Sequence, residues 1–117
     1  MPLESYVLGT AQTGNVNTAA QADYNRNFAD PAAIVITSTI GATPTVTVNI
    51  RGSVDGVNFY NIPYALVATP STFTVAAITI TTAVTTTYLL QGGQPTVVFR
   101  VDYSANTNVT LTTTLYS

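Results

Sequence analysis

From Thr45 to Arg51 the chain alternates without a break. Val46, Val48 and Ile50 fall on one parity, and Thr45, Thr47, Asn49 and Arg51 on the other. A period of two puts the apolar set on one face of a strand and the polar set on the opposite face, so the segment has a buried side and a wet side. The same period recurs near the end of the chain. There Val97, Phe99, Val101 and Tyr103 alternate with Val98, Arg100 and Asp102, and Val109, Leu111, Thr113 and Leu115 alternate with threonines.

Turn chemistry separates the runs. Gly52-Ser53-Val54-Asp55-Gly56 follows the first strand, and an aromatic and apolar stretch from Val57 to Tyr64 comes next, which predicts an antiparallel hairpin with its turn at Asp55-Gly56. Asp55 suits a turn because its carboxylate accepts hydrogen bonds from nearby backbone N–H groups, and Gly56 because it tolerates positive φ. Further strands are expected at Ile34–Thr37, Phe73–Ile80 and Val84–Leu90. Turns are expected at 41–44 and 91–95, a connection at 66–70, and a loop at 104–108. The apolar parity slips within Phe73–Ile80, which predicts a β-bulge near Ala76-Ala77. The expected fold is all-β, an antiparallel β-sandwich of jelly-roll or Ig-like strand order.

Residues 1–30 read differently. Ser5–Gln12 predicts one short strand around Tyr6 and Leu8, and the Gly-, Asn- and Thr-rich stretch after it has no period. Tyr24 and Phe28, four apart around Arg26, allow a helical turn, a strand or an irregular segment. The domain organisation expected is an extended N-terminal arm over 1–30 and a sandwich over 31–117, since 117 residues suffice for one core. The start shows no basic n-region with an apolar core, which predicts a protein made in the cytoplasm without a secretory signal. No stretch reaches the roughly 18 apolar residues of a membrane helix.

Charge narrows the functional classes. Only 7% of residues are charged, the net charge is −2, and the cations are Arg26, Arg51 and Arg100 alone. Three scattered arginines cannot neutralise a run of phosphates, so nucleic acid is not an expected partner. With no His and no Cys, the usual general bases, thiolate nucleophiles and soft metal ligands are missing, and no catalytic residue, cofactor or metal is assigned. Asp55 with Ser53 and Asn58 is an oxygen cluster, but one carboxylate in a loop reads as a turn-former. Asn108-Val109-Thr110 matches the N-glycosylation pattern, which has little meaning without a secretory signal. Arg100 and Asp102 share a strand face and predict a surface pair. Arg51 and Arg100 also suit a protein interface, where arginine is enriched. Seven tyrosines suit core or interface, or, with Tyr60, Tyr64 and Tyr103 as platforms, sugar stacking.

The run Arg51-Gly52-Ser53-Val54-Asp55-Gly56-Val57-Asn58-Phe59-Tyr60 resembles a G-S-x-D-G…N-(aromatic)-Y motif of small structural proteins of tailed bacteriophages. The Thr-rich, uncharged β-domain and the closing run Asn108–Thr112 are similar to capsid decoration (cement) proteins. That resemblance implies a virion protein on the outer capsid surface that bridges major capsid protein subunits, often as a homotrimer. It also implies that Leu3–Phe28 reaches onto the shell, with Tyr6, Leu8, Tyr24, Arg26, Phe28, Arg51 and Arg100 as contacts. The alternative is a tail or fibre domain that binds host glycans.

Overall fold

The computed structural model describes residues 5–13, 22–23, 32–55, 57–91 and 98–116. Among these residues eight strands form one hydrogen-bonded sheet: β1 (Ser5–Gln12), β2 (Ala22–Asp23), β3 (Ala32–Ser53), β4 (Tyr60–Asn61), β5 (Tyr64–Leu66), β6 (Ile78–Ile80), β7 (Thr85–Leu90) and β8 (Val98–Tyr116). The main path is β1-β8-β3-β7-β5, with β2 on β8 and both β4 and β6 on β3. All pairings are antiparallel. The expected all-β class is observed. Instead of two stacked sheets, the described strands make a single sheet curled into an open half-barrel.

Two long strands make the curl. β3 runs for 22 residues and β8 for 19, and they pair from Ala33↔Tyr116 to Ser53↔Val98. The segments 41–44 and 104–108, expected as a turn and a loop, are instead irregular points inside continuous strands, with register shifts between Ile40 and Thr45 and between Thr45 and Thr47. Thr43, Ala105 and Asn108 take positive φ there, and the Asn108 Nδ2 donates to the Ala42 carbonyl at 2.6 Å. A Cβ on Gly41 would come within 3.2 Å of the Asn108 Cβ, so the close approach of the two bulges favours glycine. Bulges on facing strands bend both together. The sequence suggested two hairpins where the fold has one long bent ribbon.

The bend lets both halves of each strand face one core. In β3 the buried residues are Ile34 and Ile36 before the bend and Val46, Val48 and Ile50 after it; in β8 they are Phe99, Val101 and Tyr103, then Val109, Leu111 and Leu115. Each fully buried aliphatic side chain contributes about 1.5–3 kcal/mol of transfer free energy, and all belong to one contiguous cluster. Within it the hydroxyls of Tyr103 and Thr113 hydrogen-bond each other, satisfying two polar groups otherwise shut away from water. Burial pushes the Tyr103 phenol above its usual range, with the Thr113 bond partly offsetting it.

Three short strands share the other edge of β3. β7 lies along Ala32–Thr37, β6 along Val46–Val48 and β4 along Arg51–Gly52. Between β6 and β7 the chain crosses the bend, where buried Ser38 holds it: its Oγ donates to the Thr82 carbonyl at 2.7 Å and accepts from the Val84 N–H at 3.1 Å. The expected hairpin around Asp55 therefore forms only in part. Two register pairs join β3 to β4, and the partner of Val46–Val48 is β6. The parity slip in Phe73–Ile80 is likewise no bulge. Thr74 bridges Tyr64, 75–77 are irregular and exposed, and pairing resumes at Ile78 with a different strand.

The short strand expected at Ser5–Gln12 forms and pairs with the C-terminal half of β8, so this part of the expected arm lies in the sheet. β2 pairs with the N-terminal half of β8. Tyr24, Arg26, Phe28 and most of the turn expected at 91–95 lie outside the described residues.

Candidate functional site

On the outer face of the sheet, β3 and β8 present the side chains of the parity opposite to the core. Asn49 lies opposite Asp102, and Arg51 opposite Arg100. Two like charges directly across a ladder repel, so the arrangement needs an anion on the diagonal, and Asp102 occupies that place. The Arg100 Nη2 donates to Asp102 Oδ2 at 3.1 Å, with its Nε 2.9 Å from Oδ1. Arg51 Nε stands 3.5 Å from Asp102 Oδ2. The last two contacts are ionic but not hydrogen-bonded, since neither Nε nor Oδ1 has a partner of hydrogen-bonding geometry. Phe59, arriving from the Asp55 loop, places its ring under Arg100, the guanidinium carbon 3.8 Å from the ring centre.

This cluster carries one positive charge in excess in a chain of net charge −2. The Arg51 side chain is 36% exposed, that of Asp102 13%. Arg100 is held on two sides, by Asp102 and by Phe59. The surface pair expected from Arg100 and Asp102 thus exists. The sequence does not indicate that Arg51 and Phe59 join it, because both meet Arg100 only through sheet register and the path of the loop. Chemically the cluster can receive an anionic group through Arg51. It holds no nucleophile.

The Asp55 loop lies nearby. Its Oδ1 accepts from the N–H groups of Val57 and Asn58 and from the Ser53 hydroxyl, each at 2.8 Å, and Oδ2 accepts from the Asn58 Nδ2 at 2.9 Å. The Asn58 and Val57 amides, then the Asn58 and Ser53 side chains, hold this carboxyl far below the usual carboxylate range. A carboxylate with four donors already on it organises the loop and is poorly placed to bind a cation. Among the described residues no group of three His, Cys, Asp or Glu could hold a metal ion. No helix among them is long and apolar enough to cross a membrane. A cleft of about 370 Å³ at the paired bulges is lined by uncharged residues, Thr39, Ile40, Gly41 and Asn108 among them.

The other expected contacts are spread out. Tyr6 lies opposite Leu115 in β1, and Leu8 falls at a register shift between Val7 and Gly9, away from the arginine pair's end of β8. Two of the three tyrosines offered as sugar platforms are in the core: Tyr103 is fully buried, and Tyr64 packs edge-on against Tyr88 at 5.4 Å between ring centres. Tyr60 is half-buried against the core.

These features define an all-β domain built on one curled, open sheet. No protein-family model matches the chain, and no curated protein matches it in sequence. Among solved structures, the crystal structure of SPBc2 prophage-derived protein YomS is similar, with a TM-score of 0.61 at 10% identity, covering 99% of this chain and 94% of that one. The likeness shows a shared fold along nearly the whole of both chains.

Proposed function

We propose that this chain is a structural protein of a bacteriophage particle that binds the outer surface of the capsid and stabilises the shell by bridging major capsid protein subunits. The observation that carries the reading is the end-to-end likeness to a prophage-derived protein of the same fold. The resemblance of 51–60 to a motif of small structural proteins of tailed bacteriophages supports a phage particle protein, and that stretch forms the Asp55 loop and ends beside the arginine cluster. Large, rigid interfaces serve a clamp, and a bent ribbon with one shared core provides a stiff body for one. The reading assigns no catalytic role. Burial of Tyr64 and Tyr103 removes two of the stacking platforms the glycan-binding alternative needs, so that alternative is not pursued.

In this reading Arg51 and Arg100, with the N-terminal segment, face the shell. A truncation of 1–30 would delete β1 and β2 as well, so the contact is better tested by substitution. The purified chain is expected to co-sediment with capsids of its own phage and to lose that binding on Arg51→Glu or on joint alanine substitution of Tyr24, Arg26 and Phe28. Failure of the wild-type chain to bind such particles would end the proposal.

A further inference from the structure

From Gly56 to Phe99 the chain contains no charged residue. This stretch supplies β4, β5, β6 and β7, so the β5 side of the sheet carries none of the charge that usually guards an exposed edge. Outside β5, Thr74 exchanges two main-chain hydrogen bonds with Tyr64, at 2.9 and 3.0 Å. In an antiparallel ladder the groups of the next residue on either side point the other way. Among the described residues Phe73 and Val75 accordingly have no main-chain hydrogen-bond partner, and the two residues are 39% and 55% exposed. Leu66, at the end of β5, and Val67, in the turn after it, are exposed as well.

We infer that this edge pairs with the same edge of a second copy, antiparallel and centred on Thr74, so that the sheet continues across a twofold axis. The register makes the second copy the occupant. Centring on Thr74 sets Phe73 opposite Val75 of the other copy, twice. These are the residues whose N–H and C=O groups point outward, so four main-chain hydrogen bonds close. The side-chain pairs that result are aromatic against β-branched, with threonine against threonine between them, and both combinations stabilise antiparallel ladders. Neither copy brings a charge to repel the other, whereas a charged strand would find no counter-charge here. The contact is self-complementary and closes at two copies. It does not rest on the virion reading, and it is incompatible with a threefold contact at this edge.

Sedimentation velocity on the full chain tests it. The wild type is expected at about 100 µM as a species of twice the 12.3 kDa chain mass. Val75→Pro removes an outward N–H and Phe73→Lys places a charge on the edge. Each is expected to weaken association about tenfold or more, while Val57→Lys, exposed on the Asp55 loop and outside the 73–75 pairing, leaves it unchanged. In the wild type the Phe73 and Val75 amides should exchange more slowly as concentration rises, a readout independent of how the variants fold. A wild type that is monomeric or trimeric at that concentration overturns the inference. So do edge variants that associate like the wild type, or amide exchange that ignores concentration.

Discussion

Asp55 shows how one side chain turns a run of small residues into a defined loop. Its carboxylate gathers four donors from Ser53, Val57 and Asn58, all within three residues of it. Because the folded carboxyl is held well below its ordinary value of 3.8, the charged form is favoured in the native state. The resulting stability is fully present above about pH 4 and is lost as the pH falls through the depressed folded value. Asn at this position keeps an acceptor for the amides but does not titrate, and its NH₂ would face the Asn58 Nδ2. Asp55→Asn should therefore lower the melting temperature at neutral pH and flatten its decline on acidification below pH 4. Parallel acid profiles for the two proteins would show that the loop does not contribute. The sequence predicted this residue's role correctly, since every partner is local and Asp-Gly turn chemistry is a local matter.

At the scale of elements, the facing bulges of β3 and β8 decide the shape. Gly41-Ala42-Thr43-Pro44 has the composition of a turn, and Ser104–Asn108 that of a loop, and each reading is sound for the segment alone. Set against each other they become bends, because the Asn108 amide reaches the Ala42 carbonyl and Gly41 leaves room for the approach. Asn108 has φ 55°, a conformation asparagine tolerates and β-branched residues resist. Asn108→Gly should cost about 0.5–1.5 kcal/mol, the value of one hydrogen bond. Asn108→Val should cost about 1–2 kcal/mol more, for the left-handed backbone. Urea denaturation measures both, and equal losses for the two would remove the backbone from the account. The alternation at 45–51 in β3 and on both sides of the bend in β8 was legible in the sequence and correctly named the buried face there, whereas Ile34–Thr37 read only as an apolar run. That β6 and not β4 lies beside Val46–Val48 was not legible, because both candidates carry apolar residues of suitable parity.

The whole molecule is organised by contacts between its distant parts. The longest ladder joins residue 33 to residue 116, and β1 pairs with the end of β8. Forming such pairs costs loop-closure entropy before it returns any stabilisation, so folding should be slow for the chain's size, on the order of milliseconds to seconds. Stopped-flow refolding followed by tyrosine fluorescence would show this, and a microsecond phase carrying the full amplitude would contradict it. The same long-range pairing assembles the arginine cluster. Arg100 and Asp102 meet because a strand repeats every two residues, but Arg51 and Phe59 reach them only when β3 lies beside β8 and the Asp55 loop folds back.

By itself, the sequence determined the class of structure, the buried parity of each long run, the Asp55 turn and the scarcity of charge. All of these follow from a residue's own chemistry and its neighbours within a few positions. Only the tertiary structure decided that two apparent hairpins are one bent ribbon, that the sheet is single and curled, and that Thr74 bridges Tyr64 at the β5 edge. Those outcomes depend on which strand lies opposite which, and pairing is chosen by the core that the whole chain can close.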